Sequence, residues 1–267
     1  MNLFKQNKSD QSGFTLLEMM VGMAIFLVIS GAVMALLDVS QKRYKTDSQV
    51  LSAFQSARLA VDQMSRDIGD AGYPPQSQFS NPLTPLSSYA QTPFAWSPSY
   101  LVTPCTVGNS CTTPGNFDII VETDIDNNGT VDWVRYQLVN TTLYRGVTPK
   151  TVGGNPNIAT SAAGVMAPYV TNVMNNAPAA QIATLNAAYP GLFPGGTAVP
   201  IFTYTCDTAD PTVGPVTCST AGANNSPANI RQVGITLIVK SQGVDEQSGE
   251  IRAVSLNGMA RRINPNQ

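Results

Sequence analysis

The chain of 267 residues reads as α+β: one long N-terminal helix, its first half of membrane length, packed on an antiparallel β-sheet domain with long loops. From Phe14 to Leu37 no side chain but Glu18 is charged. Apolar residues then recur at helical spacing as far as Ile68. Beyond Phe117 the pattern changes to alternation of period two, broken by Asn- and Gly-containing turns.

The 24 residues Phe14–Leu37 correspond to about 36 Å of helix, enough to cross a hydrocarbon layer of about 30 Å. Residues 1–13 are polar and carry Lys5 and Lys8 against Asp10, so the positive-inside rule keeps them in the cytoplasm and exports the rest. An acid within such a span costs about 2.5–3.5 kcal/mol at its centre and less near the interface, where Glu18 lies. A partner cation removes much of that cost. In an ordinary secretory signal the small-residue cleavage site follows the apolar core; here Gly13 precedes it, and cleavage there leaves the helix attached.

The run GFTLLEMMVGMAIFLVI resembles the class III signal of type IV prepilins and type II secretion pseudopilins. The resemblance implies the type IV pilin fold and cleavage by a prepilin peptidase between Gly13 and Phe14. It further implies N-methylation of Phe14, and pairing of Glu18 with the Phe14 amine of a neighbouring subunit. A cationic N-terminus and a carboxylate that meet in an apolar filament core neutralise each other. The competing reading is a plain signal anchor in which Glu18 snorkels to the interface. The domain plan that follows is a cleaved cytoplasmic leader at 1–13, a transmembrane and assembly helix at 14–37 and its amphipathic continuation at 38–70. A loop-rich region at 71–115 leads to an antiparallel β-sheet domain at 116–267, with a low-complexity insertion at 151–199. Unlike many major pilins, the helix has Ala35 where a proline often stands.

In the continuation, Leu51, Phe54, Ala57, Val61, Met64 and Ile68 form one apolar stripe, with Gln55, Arg58, Asp62, Ser65 and Asp67 assigned to the other faces. Gly69 and Gly72, followed by Pro74-Pro75, end the helix. Eight prolines between Pro74 and Pro114 exclude regular helix from the next region. Its aromatics Tyr89, Phe94, Trp96 and Tyr100 are expected to be buried against the domain, a stacking platform for sugars or bases being the alternative. FDIIVET, VDWVRYQLV and LYRG read as a three-stranded meander. After the insertion come PIFTYTC and VGITLIVK, with Val233, Ile235, Leu237 and Val239 on one face, and EIRAVSLNGMARRIN completes the sheet. This order, ending in Arg261-Arg262-Ile263-Asn264, is similar to PilW-family minor pilins and GspJ-type minor pseudopilins.

The four cysteines, Cys105, Cys111, Cys206 and Cys218, lie on the exported side, where disulfides persist. Four cysteines allow three pairings; the local pairs Cys105–Cys111 and Cys206–Cys218 are expected, each inside a Pro/Gly/Thr-rich loop that a short staple would order. Without a C-x-x-C pair or any histidine, zinc is disfavoured. The missing histidine also removes Ser-His-Asp and Cys-His chemistry. Asp124, Asp126, Asn128, Thr130 and Asp132, with Gly129 at the sixth position, follow an EF-hand-like spacing that suits a structural calcium ion. Arg135 stands where the bidentate glutamate belongs and has to point away. The alternative is a hairpin turn flanked by solvated acids.

Only 12% of residues are charged and the net charge is −2, or −3 without residues 1–13; no basic field invites nucleic acid. The expected function is that of a minor pilin that primes or caps a type IV pilus. Its partners are other minor pilins, the major pilin, the prepilin peptidase and the inner-membrane assembly platform. Before assembly it resides in the inner membrane with a periplasmic domain, and afterwards in the pilus at the cell surface. A GspJ-like pseudopilin is the alternative; a major subunit is disfavoured by the large loop-rich domain. No cofactor is required by these readings, and no enzyme activity is expected. A membrane-tethered hydrolase or sugar-binding module would need a convergent site that the sequence does not display.

Overall fold

A computed structural model describes residues 13–79, 86–96, 114–207, 212, 214–218, 229–244 and 251–263. Helix α1 spans Leu16–Gly69, 54 residues or about 80 Å at about 1.5 Å per residue. Thr15 caps its start and Asp70 its end. From Leu16 to Leu37 its apolar side chains are exposed; burial within the chain is concentrated from Ala57 onward, at Ala57, Ala60, Val61, Met64, Asp67 and Ile68. Leu51, at the near end of the expected stripe, stays 55% exposed, because the domain does not reach that far along this face.

The strands form two sheets, not the single one expected from the sequence. The first has the order β1 (Phe94–Trp96), β2 (Asp118–Thr123), β3 (Asp132–Val139), β4 (Thr142–Pro149), β5 (Met166–Thr171), antiparallel throughout. The second has the order β7 (Val216–Thr217), β6 (Phe202–Cys206), β8 (Ile230–Val244), β9 (Ile251–Arg261), also antiparallel. Residues 172–174 tie the two together: Val173 bridges to Val239, and the Met174 N–H donates to the Ile238 carbonyl at 2.8 Å.

Helix α1 lies on one face of the second sheet. Val233, Ile235, Leu237 and Val239 point into the main core with Ala57, Val61, Met64 and Ile68, as the alternation along this strand predicts. Gly258 on β9 permits this approach, since a Cβ there would collide with Val61 Cγ1. The direction of packing is set as well. Gln49 lies beside Gly243, Val61 and Ser65 beside Gly258, and the Ile263 N–H bonds the Gly69 carbonyl at 3.1 Å. The helix therefore runs in the same sense as β9.

The low-complexity segment 151–199 is ordered. It contributes α2 (Pro156–Thr160), β5 and α3 (Ala179–Ala188). Met174, Ile182, Leu185 and Phe193 build a second core with Ile238 on the face of β8 opposite α1. Asn175 is fully buried there and mimics a strand partner: its amide donates to Val199 and Thr236 carbonyls, and its oxygen accepts from the Ile238 N–H. In the proline-rich region Tyr89 and Phe94 are buried, in line with burial rather than an exposed platform. Tyr100 and the Trp96 side chain lie outside the described residues.

Asp67 corrects a second expectation. It is buried rather than solvated, accepting from the Tyr136 hydroxyl at 2.6 Å and from Arg145 at 2.8 Å, both on the first sheet, while Gln63 donates to its other oxygen. The helix resting on the second sheet is thereby bolted to the first. Burial, reinforced by the adjacent Asp67 carboxylate, pushes the Tyr136 hydroxyl far above its ordinary pKa, so it stays a donor. Replacing Asp67 with alanine strands Arg145 without its carboxylate; the domain should lose about 3 kcal/mol, read as a lower guanidinium midpoint by tryptophan fluorescence of the full chain in detergent.

Candidate functional site

The helix start is built from a capping box. Thr15 holds an extended backbone, and its hydroxyl accepts from the Glu18 N–H at 3.3 Å. Glu18 returns the contact: one carboxylate oxygen accepts from the Thr15 N–H at 2.9 Å and from the Thr15 hydroxyl at 3.0 Å. The reciprocal pattern satisfies two otherwise orphaned donors of the first turn. Ser/Thr followed three residues later by Glu is a legible signal for it, yet the sequence reading assigned Glu18 a role in assembly and overlooked Thr15.

Gly13 and Phe14 precede this turn as exposed, non-helical residues, Phe14 being 86% accessible. Phe14, Glu18, Met19, Gly22, Met23 and Phe26 share a shallow trough along the helix. The Gly13–Phe14 bond lies outside the helix. Glu18 is turned toward the same end of the helix as the Phe14 backbone, so the two predicted members of the site lie together. The leader residues 1–12 lie outside the described residues.

Of the predicted disulfides, Cys206–Cys218 is present, with Cα atoms 4.9 Å apart. It joins β6 to the turn after β7 and is fully buried. Cys105 and Cys111 lie outside the described residues.

The β2–β3 connection brings Asp124, Asp126 and Asp132 together, with carboxylate oxygens within 4.8 Å of one another. Asp124 accepts from the N–H groups of Asn128 and Gly129, and Asn128 accepts from the Thr130 N–H. Asn127 and Gly129 take positive φ to close the turn. Burial first, then the neighbouring Asp126 and Asp124 carboxylates, hold the Asp132 carboxyl above its ordinary range, against an opposing hydrogen bond from the Ile125 backbone. A set of hard oxygens around concentrated negative charge is chemistry suited to a divalent ion. Arg135 does turn away, as its position in the loop demanded. It grips Asp118 through two hydrogen bonds of 2.9 and 2.7 Å on the outer face of the first sheet, where Asn157 and Ser161 also accept from it.

A second buried charge pair was not foreseen. Glu122 accepts from Lys150, the Trp133 indole and the Gln91 and Thr92 backbone N–H groups. Its partners come from β3, from Lys150 just after β4 and from the segment before β1, so no local spacing announced it. With four donors converging on one carboxylate, the pair ties the 86–96 segment to the sheet.

A model of the prokaryotic N-terminal methylation motif matches residues 8–34. Comparison with curated proteins and with solved structures yields no match. The chain thus carries a prepilin-type N-terminal methylation motif, on a helix long and apolar enough to cross a membrane. Behind it stands an antiparallel β domain in the general layout of the type IV pilin fold. The capping geometry makes one local prediction: Thr15→Val should speed amide exchange at Glu18 while leaving exchange beyond the second turn unchanged, measured by hydrogen–deuterium exchange of the full chain in lipid nanodiscs.

Proposed function

We propose that this chain is a minor pilin of a type IV pilus, of PilW type, built into the filament through its N-terminal helix and priming or capping assembly by contacts with other minor pilins and the major pilin. The observation that carries the reading is the methylation motif on a helix whose apolar first half is exposed among the described residues. Lipid satisfies such a surface before assembly, and neighbouring helices satisfy it afterwards. On this reading a prepilin peptidase removes residues 1–13 and the Phe14 amine is methylated. Glu18 then exchanges its capping partners for the Phe14 amine of an adjacent subunit, the assembly platform of the inner membrane driving the transfer from membrane to pilus. The domain faces the periplasm before assembly. The role is structural, with no catalysis.

In a host with the cognate peptidase and filament genes, intact mass should show a chain that begins at a methylated Phe14. Glu18→Ala should insert into the membrane as the native chain does but fail to enter sheared filaments, judged by immunoblot. Wild-type levels of the variant in filaments would remove the assembly role of Glu18.

The acidic β2–β3 loop supports a structural calcium ion held by Asp124, Asp126, Asn128, Thr130 and Asp132, pinning the turn beside the helix end. The protein should melt at higher temperature with calcium than with chelator, the stabilisation amounting to about 2.7 kcal/mol at a hundredfold excess over Kd. Equal melting curves would count against it.

A further inference from the structure

We propose that the groove between α1 and β5 is a binding site for a neutral saccharide. The inference concerns the β domain and the helix segment packed on it, and it is independent of the filament reading above.

The groove has a volume of about 430 Å³, within the range of small-ligand pockets. One wall is the side of α1 that carries Ser48, Ser52 and Ser56, which align along the helix because they stand four residues apart. All three are exposed. The other wall is β5 with the residue after it, Pro168 to Asn172, where Tyr169 is half-buried with its ring 6.2 Å from that of Tyr136. Gln49 and Gln242 add two amides. Both walls are held by contacts already in place: α1 by its packing on the second sheet, and the end of β5 by the Lys240 N–H, which donates to the Asn172 carbonyl at 3.0 Å. The groove is therefore preformed, and a ligand enters it with little reordering.

The chemistry of the lining selects the ligand. Among the described residues, no Asp, Glu, Lys or Arg lines the groove, so it holds no countercharge for an anion, a cation or a metal ion. Its polar side chains are also unengaged. Hydroxyls elsewhere on the helices fold back onto the carbonyl of the preceding turn, as those of Thr46, Thr160 and Thr184 do. Ser48, Ser52 and Ser56 make no such bond among the described residues. The side-chain amides of Gln49, Asn172 and Gln242 and the Tyr169 hydroxyl likewise have no hydrogen-bond partner among the described residues. Neutral groups that both donate and accept, beside one aromatic ring, match the hydroxyls and C–H faces of a sugar. An apolar molecule would leave them unpaired.

A peptide strand fits the same place poorly. Strand β5 ends its sheet, yet Pro168 offers no N–H in the middle of its edge, and the pairing with β4 skips Tyr169, so an added strand would lose its ladder there. Lipid headgroups are out of reach as well. Counted from Leu37, the three serines stand roughly 16–28 Å past the apolar run at about 1.5 Å per residue, beyond the interfacial layer of a bilayer.

The test is saturation-transfer NMR on the full chain in lipid nanodiscs, which carry no glycoside detergent. Maltotriose, cellotriose and chitotriose are the neutral probes and trigalacturonate is the charged comparator, while retention on amylose, cellulose and chitin beads tells a free sugar from a longer glycan. The expected result is binding of at least one neutral trisaccharide or its polymer and none of trigalacturonate. Ser52→Phe, which fills the groove from an exposed helix position, and Gln242→Ala, which removes an amide, should each weaken that binding about tenfold. Gln181→Ala, at an exposed position on α3, should leave it unchanged. Silence with every neutral probe and polymer, equal transfer to trigalacturonate, or undiminished binding in either variant would overturn the proposal. Should Ser52→Phe fail to fold, Gln242→Ala decides. None of these outcomes touches the filament reading, which is decided at Phe14 and Glu18.

Discussion

The Asp67 carboxylate, held by Tyr136 and Arg145 near the end of α1, is the contact on which the shape of the molecule depends. Apolar packing alone is nondirectional, and a smooth helix stripe over a sheet tolerates rotation and sliding by a turn. A buried carboxylate with two donors at 2.6 and 2.8 Å does not tolerate either, because a displaced Asp67 leaves a charge without partners in low dielectric. The pair therefore sets the helix's register on both sheets. The direction in which the protruding apolar half leaves the domain follows from it.

Sequence periodicity revealed the parts of this architecture that depend on local burial. The stripe Ala57–Ile68 and the face Val233, Ile235, Leu237 and Val239 were readable because each alternates within one element. The burial of Asp67, placed from the sequence on a face away from the stripe, was not readable for the opposite reason. A carboxylate looks solvated on a helical wheel, and its burial is set by Tyr136 and Arg145, which lie about 70–80 residues later and carry no positional mark. The same blindness hid the division into two sheets. The three-residue strand Phe94–Trp96 and the ordered segment around β5 and α3 sit in stretches whose Pro, Ala and Asn content reads as loop, while tertiary pairing overrides propensity there.

The functional end was more legible, because its chemistry is contiguous. Gly13, Phe14 and Glu18 stand within six residues, and the matched motif spans the same stretch. What the spacing did not convey is that Glu18 is already engaged. In the free chain its carboxylate stabilises the first helical turn through Thr15, which lowers the cost of holding an acid at the membrane surface. Any cation that recruits Glu18 must compete with those bonds. The β2–β3 loop was legible for a similar reason. Its oxygens come from alternate residues of one turn, and only the fate of Arg135, settled by Asp118 on the neighbouring strand, required the fold.

Polarity links these features. A single apolar helix projecting from one end gives the molecule a direction, and every neighbour anchored in the same bilayer shares it. Any symmetric contact between copies in one bilayer must preserve that direction, which excludes two-fold axes lying in the membrane plane. The sense of α1 relative to β9, fixed by Gly243, Gly258 and Gly69, extends the same constraint from the membrane into the β domain.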